Sequence, residues 1–259
     1  MTLRLISRTA SFTNVISFGL IAEMFAGQEF ALFNLRDPKS LFQDTAGTIP
    51  VTELDDPVSL VLDRSGNGYS LIRQGTDAQR PLWVEDDNGN RGLSFINATQ
   101  QPMQILSGGR GLTGEVDGCG FITSFTAAAA GLEAIVGVRN DSSTGAQFSQ
   151  SATRSLFRRN FGGSYTDVTI NAAALPTVLG ARVNWQAGSA VTYQNDLAAV
   201  TTALATSGAQ STATNGGTFV GGFQTTATTC VVHEVLIVGV LPTDVQMKAA
   251  VKAMLARMA

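Results

Sequence analysis

Oxygen-bearing side chains alternate with other residues in the stretch LDRSGNG, where Asp63, Ser65 and Asn67 stand at every second position. This spacing matches the first half of an EF-type calcium loop, which also needs a bidentate glutamate at its twelfth position. That position holds Gln74, in a segment with the pattern of a strand. A phosphate-binding loop is disfavoured because no Lys-Ser or Lys-Thr pair follows the glycines. We therefore predict a turn in which Asp63 and Asn67 bond to their own backbone, with no metal and no cofactor.

Carboxylates that could hydrolyse a glycosidic bond come together in GEVDGCG, which holds Glu115 and Asp117. A retaining glycosidase needs two carboxyl groups about 5 Å apart, and its usual strand pattern has a third acid. That third acid is missing here, and the neighbouring glycines weaken a strand. The single histidine, His233, would have to supply any Ser-His-Asp triad, yet CVVHEVLIV is typical of a buried strand. We predict no catalytic residue and no enzymatic activity, with a glycan-active enzyme as the alternative.

Sugar binding is a third chemistry, indicated by rings and amides that stand close together in NWQAGSAVTYQND. Binding sites of this kind combine an aromatic surface with a few well-placed polar groups. The candidate glycan ligands are Trp185, Tyr193, Asn195 and Asp196. The alternative is that both rings pack in the core or at a sheet edge, as Trp and Tyr often do.

The overall charge gives no sign of binding to nucleic acid or to an anionic membrane. Seventeen basic residues against twenty acidic ones leave a net charge of −3. One basic cluster contains Arg154, Arg158 and Arg159, and we interpret it as a solvated or subunit-facing strand edge. Charged residues make up 14 % of the chain, whereas about 25 % is usual for a soluble domain. We therefore expect other subunits to cover part of the surface.

Two cysteines, Cys119 and Cys230, lie in apolar, strand-like segments without a metal-type spacing. We expect two buried thiols, with a disulfide between the strands as the alternative. No window approaches the roughly 20 apolar residues of a membrane span. Arg4 and Arg8 precede an apolar run as in a signal peptide, but Glu23 interrupts that run and we expect no cleavage.

Short apolar runs separated by Gly, Asn, Asp and Ser recur along the chain, which is typical of an antiparallel sandwich. Asn88-Gly89 is the strongest hairpin signal, and TCVVHEVLIVGV is the candidate central strand. Near the N-terminus we expect a short helix that stops at Gly27, followed by the strand EFALFNL. After Pro242 we expect a helix whose apolar stripe consists of Val245, Ala249 or Ala250, Met254 and Leu255.

Three stretches carry a family resemblance. The first, from Met24 to Trp83, contains SLFQDTAGTIPVT and LDRSGNG. It is similar to predicted phage virion proteins with a concanavalin A-like or laminin-G-like jelly roll. Asn34 and a shifted Asp37 replace the aromatic-Asp pair of that family, and YS replaces its Asn-His after the glycine turn. The second stretch, ARVNWQAGSAVTYQND, resembles the strand, glycine turn and strand of the same family. The third, from GTFVGGFQ onward, resembles the closing module of such jelly rolls.

The resemblance implies an all-β fold, an antiparallel two-sheet jelly-roll sandwich with an N-terminal arm and a C-terminal helix. We divide the chain into an arm, residues 1–35, and a sandwich domain, residues 36–259, which ends in the helix 243–258. The arm is rich in phenylalanine, and we expect it to dock on neighbouring subunits. The docking residues would be Phe12, Phe18, Phe25 and Phe30.

The resemblance also implies a structural protein on the outside of a bacteriophage particle, made in the host cytoplasm. It would be a head decoration or fibre, or a tail or baseplate appendage, and it would adhere to host-surface glycans. Its partners would be other virion proteins and further copies of itself in a homo-oligomer, with neither nucleic acid nor membrane insertion. A free lectin of the same fold is a further alternative, which the scarcity of metal-ligating residues disfavours.

Overall fold

The computed structural model describes residues 18–96, 99–100, 102–105, 112, 117–127, 133–139, 145–150, 154–161, 164–171, 177–195, 197–204, 217–223, 226–227 and 229–258. In chain order the elements are α1 (Phe18–Met24), β1 (Phe30–Asn34), β2 (Leu41–Phe42), β3 (Leu60–Val61), β4 (Leu71–Arg73), β5 (Leu82–Glu85), β6 (Arg91–Phe95), β7 (Met103–Ile105), β8 (Gly118–Ala127), β9 (Glu133–Arg139), β10 (Gly145–Gln150), β11 (Arg154–Phe161), β12 (Ser164–Asn171), β13 (Thr177–Asn184), β14 (Ser189–Gln194), β15 (Val200–Ala203), β16 (Gly217–Val220), β17 (Gly222–Phe223), β18 (Thr226–Ala227), β19 (Cys230–Val238) and α2 (Asp244–Met258).

Two antiparallel sheets contain nearly all of these strands. Sheet A has the order β15-β14-β13-β8-β19-β6-β5, with β1 also paired to β19. Sheet B has the order β12-β11-β10-β9-β16-β7-β4-β3-β2, and the short strands β17 and β18 pair with each other. The predicted all-β, two-sheet jelly-roll sandwich with a C-terminal helix is confirmed. The stretch TCVVHEVLIVGV does form a central strand, because β19 has β8 on one side and β6 and β1 on the other.

The inner core lies between the two sheets, and a second, outer core lies between sheet A and the two helices. Strand β19 contributes to both, since successive side chains of a strand point to opposite faces. Val235 and Ile237 enter the inner core, while Leu236 and Val238 enter the outer core. The pairing of β19 with β8 shifts between Val232 and Glu234, so a β-bulge sits at residue 233.

Helix α2 forms as predicted, but its apolar stripe differs from the expected one. Thr243 caps it, accepting from the Gln246 amide at 3.2 Å, while the Gln246 side chain accepts from the Thr243 amide at 2.9 Å. Val245, assigned to the stripe, has 76 % of its surface exposed. Helix geometry explains the difference, because the buried residues of α2 recur every three or four positions and position 245 falls on the opposite, solvent-facing side. That series is Met247, Ala250, Val251, Met254 and Met258.

The N-terminal segment provides a helix and a strand of the sandwich. α1 ends before Gly27, whose φ of +80° suits glycine, as the sequence predicted. β1 pairs with β19 from Phe30 opposite Val238 to Asn34 opposite Glu234. The part of the predicted arm from residue 18 to residue 34 thus belongs to the sandwich. The predicted boundary at residue 35 comes directly after β1, a strand of sheet A.

Two of the proposed docking residues are buried within the chain. Phe25 and Phe30 pack in the outer core with ring centroids 6.0 Å apart. Phe12 and the side chain of Phe18 lie outside the described residues. The burial of Phe25 and Phe30 stabilises the attachment of α1 to sheet A, and the docking role of the segment stays a prediction.

Three further expectations concern single elements. The Asn88-Gly89 turn joins β5 to β6 as predicted, with a φ of +78° at Gly89. Cys119 and Cys230 are buried and form no disulfide with each other. The sequence predicted a solvated or subunit-facing strand edge for the basic cluster. The cluster lies on β11, which pairs with β10 on one side and with β12 on the other and is therefore inside sheet B. Neither helix of the described residues is long and apolar enough to cross a membrane.

Candidate functional site

The loop between β3 and β4 is tied to β1 by the side chain of Asp63. Its carboxylate accepts from the Ser65 amide at 2.9 Å, the Ser65 hydroxyl at 2.6 Å and the Tyr69 amide at 3.0 Å. It also accepts from the amide of Leu32 in β1 at 3.0 Å. The predicted turn is confirmed for Asp63, but the Asn67 side chain departs from it. Its amide donates to the carbonyl of Phe30, again in β1, at 2.8 Å.

The four hydrogen bonds on Asp63 show what its carboxylate does in this fold. Both carboxylate oxygens accept hydrogen bonds from N–H and O–H donors, so the side chain holds the loop in its conformation and against β1. Among the residues that the structure describes, no group of three or more His, Cys, Asp or Glu side chains is arranged to hold a metal ion.

A recess opens where the end of α1, the start of β1 and this loop meet. Its volume is about 440 Å³, within the roughly 300–1,000 Å³ of small-molecule sites. The lining includes no lysine or arginine within the described part of the chain. It consists of Ala22, Ala26, Gly27, Gln28, Glu29, Phe30, Ser65 and Asn67.

The polar side of the recess consists of Gln28, Glu29, Ser65 and Asn67, of which Glu29 carries a charge. Glu29 is exposed, and its Oε2 accepts a hydrogen bond from the Tyr69 hydroxyl. Burial, together with Glu29, raises the pKa of Tyr69 to about 12, so the hydroxyl remains a donor at neutral pH. Gln28 carries a buried Oε1 that has no hydrogen-bond donor among the described residues.

The sequence did not identify this recess. Phe30 and Asn67 are 37 positions apart, and the strand pairing that joins their segments is not visible in either segment alone. The sequence feature nearest to the recess is the turn at Asp63. The sequence predicts that turn but not its hydrogen bonds to β1.

The two rings among the predicted glycan ligands do not share a surface. Trp185 is fully buried in the inner core, whereas Tyr193 is buried in the outer core on the opposite face of sheet A. The Tyr193 hydroxyl donates to Asp244 at 2.8 Å, and burial with this contact raises the pKa of Tyr193. Asn195 accepts from the Val178 amide at 2.9 Å. Asp196 lies outside the described residues.

The candidate acid pair is placed only in part. Glu115 lies outside the described residues, and Asp117 is exposed just before β8. The backbone carbonyl of Asp117 accepts from the amide of Trp185 at 2.8 Å, which continues the pairing of β13 with β8 beyond Asn184 and Gly118.

His233, at the bulge of β19, lies in a buried network. Its Nδ1 is 2.7 Å from the carbonyl oxygen of Arg91, so Nδ1 carries the proton and donates. Its Nε2 is 3.1 Å from the Thr126 hydroxyl, which donates to Asp86 at 2.7 Å. Burial raises the pKa of Asp86, but hydrogen bonds from Thr126 and two backbone amides outweigh it and hold that pKa below 3.8. The network joins β19 to β8 and to the β5–β6 hairpin.

We expect the imidazole of His233 to titrate below its ordinary pKa of 6.5, because burial disfavours the charged ring more than Arg91 and Asp86 favour it. Between that lowered pKa and 6.5 the unfolded chain binds a proton that the folded chain does not. The free energy of unfolding should therefore fall as the pH drops below about 6.5. NMR of this single histidine gives the folded pKa, and urea unfolding gives the slope. His233→Asn should flatten the slope between about pH 5 and 6.5, and a folded pKa at or above 6.5 would contradict the prediction.

Comparisons with known proteins agree with the architecture. No protein-family model matches the chain, and no curated protein matches its sequence. The CBM40 carbohydrate-binding module of the Ruminococcus gnavus IT-sialidase, solved with α2,6 sialyllactose, is similar in structure at 14 % identity. The match covers 62 % of this chain and 96 % of that one, with a TM-score of 0.50. The binding domain of Paraclostridial Mosquitocidal Protein 1 matches at 12 % identity over 75 % of this chain and 49 % of that one, with a TM-score of 0.52.

At these identities the similarity concerns the fold. The chain is a two-sheet jelly-roll sandwich of the kind found in carbohydrate-binding modules and toxin binding domains.

Proposed function

We propose that this protein is a non-catalytic structural component on the outside of a bacteriophage particle, where it adheres to host-surface glycans. The observation that carries the adhesive part is the sandwich itself, which matches nearly the whole of a carbohydrate-binding module. A recess of about 440 Å³ on the same sandwich offers room for a sugar unit. The modules in question are binding domains of sialidases, which favours binding without turnover.

The virion assignment is supported by the sequence. The stretches around SLFQDTAGTIPVT and LDRSGNG resemble phage virion proteins, and a charged fraction of 14 % suits a protein packed among other subunits. Its partners would be other virion proteins and copies of itself, assembled on particles in the host cytoplasm. Nucleic acid and membrane insertion play no part in this proposal.

Two measurements test the two halves of the proposal separately. Purified particles, probed by mass spectrometry and by electron microscopy with a labelled antibody, should contain the protein at an external position. The purified chain should bind saturably to members of a glycan array and leave them chemically unchanged. Absence from the particles would remove the virion assignment, and an array without any bound glycan would remove the adhesive role.

The N-terminal segment offers a third measurement. Because β1 belongs to sheet A, a deletion limited to residues 1–17 leaves the described elements in place. We expect this deletion to abolish incorporation into particles while the sandwich still folds. Normal incorporation of the shortened chain would show that docking does not use that segment.

A further inference from the structure

The recess between α1, β1 and the β3–β4 loop has a chemical bias that the fold alone does not determine. The polar side chains of its lining are Gln28, Glu29, Ser65 and Asn67, and Glu29 is the one that carries a charge. A ligand that fits must therefore offer hydrogen-bond donors to the Glu29 carboxylate. The ligand must also tolerate the Glu29 carboxylate, because the described residues of the lining include no basic one that would offset its charge.

We propose that this recess binds an uncharged pyranose unit of a host-surface glycan and rejects sialylated glycans. This inference rests on the proposed adhesive function and adds the site and the class of sugar. A pyranose presents adjacent hydroxyl groups, each of which can donate to one acceptor. One hydroxyl donates to the carboxylate of Glu29, which as a charged group is a stronger acceptor than a neutral oxygen, and other hydroxyls meet the polar side chains of Gln28 and Asn67 in the lining.

The site is organised before a ligand arrives. The Tyr69 hydroxyl fixes the orientation of the Glu29 carboxylate, and the Asn67 amide holds the loop against the carbonyl of Phe30. The amide of Gly239 bonds to the carbonyl of Glu29 at 2.7 Å, which anchors the start of β1 from its other side. Binding then needs little ordering of loops, and a preorganised site gains affinity in this way.

The rejection of sialylated glycans follows from charge. A sialic acid carries a carboxylate of its own, which would face Glu29 without an intervening cation in the lining. Like charges at such short distance disfavour binding, and rejection by repulsion is a common source of specificity. The preference would therefore be opposite to that of the sialyllactose-bound module with the same fold.

The test compares lactose with 3′-sialyllactose, which differ by one sialic acid, alongside methyl glucoside, methyl galactoside and methyl mannoside. Titration of the 15N-labelled chain is followed by NMR. We expect a neutral sugar of this panel to shift the amide signals of Gly27, Gln28, Ser65 and Asn67. We expect 3′-sialyllactose to bind at least tenfold more weakly than lactose. Shifts clustered elsewhere on the chain, or a preference for 3′-sialyllactose or for a cationic amino sugar, would overturn the inference.

Three variants examine the site itself. Ala26→Trp places a ring in the recess at an exposed position, and Gln28→Leu replaces a polar side chain of the lining by an apolar one of similar size. Each should weaken binding of the neutral sugar at least tenfold with an unchanged melting temperature. Glu29→Gln should weaken the neutral sugar about threefold and narrow the gap to the sialylated one.

The matched controls are Glu53→Gln and Gln186→Leu, at exposed positions outside the lining; both should bind as the parent chain does. If all three recess variants retained full binding, the site would be wrong while the adhesive function would stand. If the parent chain bound no glycan of any kind, the adhesive function would fail with it.

Discussion

Replacement of Arg257 by methionine is expected to lower the free energy of unfolding by about 3–5 kcal/mol. Arg257, near the end of α2, forms a two-point ion pair with Glu234 of β19, in which Nε lies 2.8 Å from Oε1. The Glu234 side chain is only 2 % exposed. Loss of the guanidinium leaves a buried carboxylate without its counter-charge, which is far more costly than loss of a surface pair.

The position of Arg257 adds a second contribution. Its backbone carbonyl, in the last turn of α2, accepts a hydrogen bond from Arg36, which also donates to Asn90 at 3.2 Å. Carbonyls at a helix end have no partner within the helix, so such a contact fixes the end of α2. If the ion pair is lost, the last turn should loosen together with the contacts of Arg36.

Chemical denaturation followed by circular dichroism measures the effect. Lys252→Met is the matched control, since it removes a cation from an exposed position of the same helix and should cost less than about 0.5 kcal/mol. The double variant Glu234→Leu with Arg257→Met should recover a large part of the loss, because no charge is then left buried. A loss below about 1 kcal/mol in the single variant would show that Glu234 is stabilised by other groups.

The substitution Asp63→Ala should destabilise the chain by about 2–4 kcal/mol, since hydrogen bonds to a charged acceptor contribute about 1.5–3 kcal/mol each and neighbouring bonds are not additive. Four donors lose their acceptor, and one of them is the amide of Leu32 in β1. The β3–β4 loop should then detach from β1, and the recess should lose its shape.

Hydrogen exchange of the Leu32 and Tyr69 amides reports this directly, and both should exchange faster in the variant. The control is Asp44→Ala, which removes an exposed carboxylate whose three hydrogen bonds reach only Thr48 and Ile49. Its loss should be clearly smaller, because no second element depends on it. Equal losses in the two variants would mean that the contact with β1 contributes little.

The elements with a strong local signal were predictable from the sequence. The Asn88-Gly89 turn, the apolar strand ending at Val238 and the capped helix after Pro242 each depend on neighbours in the chain. Local patterns also gave the short N-terminal helix and the strand that follows it. The alternation of short strands was enough to indicate two sheets, and the structure confirms them.

The candidate site was beyond such reasoning for physical reasons. Trp185 and Tyr193 are eight positions apart, and an unbroken alternation would put both rings on the same side of sheet A. They lie on opposite sides because the turn pairs Val183 of β13 with Ala190 of β14 and so shifts the alternation by one residue. The recess, by contrast, is formed by segments that are distant in the sequence. The pairing of β1 with β19 and the hydrogen bond from Asn67 to the carbonyl of Phe30 bring these segments together. Which face a ring occupies, and which distant loop covers a strand, are decided by tertiary packing.

The pairing of β1 with β19 has a consequence for biosynthesis. Phe30 emerges from the ribosome some two hundred residues before its partner Val238, and β19 also completes the ladders of β6 and β8. The pairing of sheet A stays incomplete until the ribosome has translated β19, so the earlier strands that pair with it wait with unpaired backbone, a situation typical of folds with distant contacts. A chain that terminates before β19 would lack the central strand of sheet A, and β1, β6 and β8 would be left without the strand they all pair with.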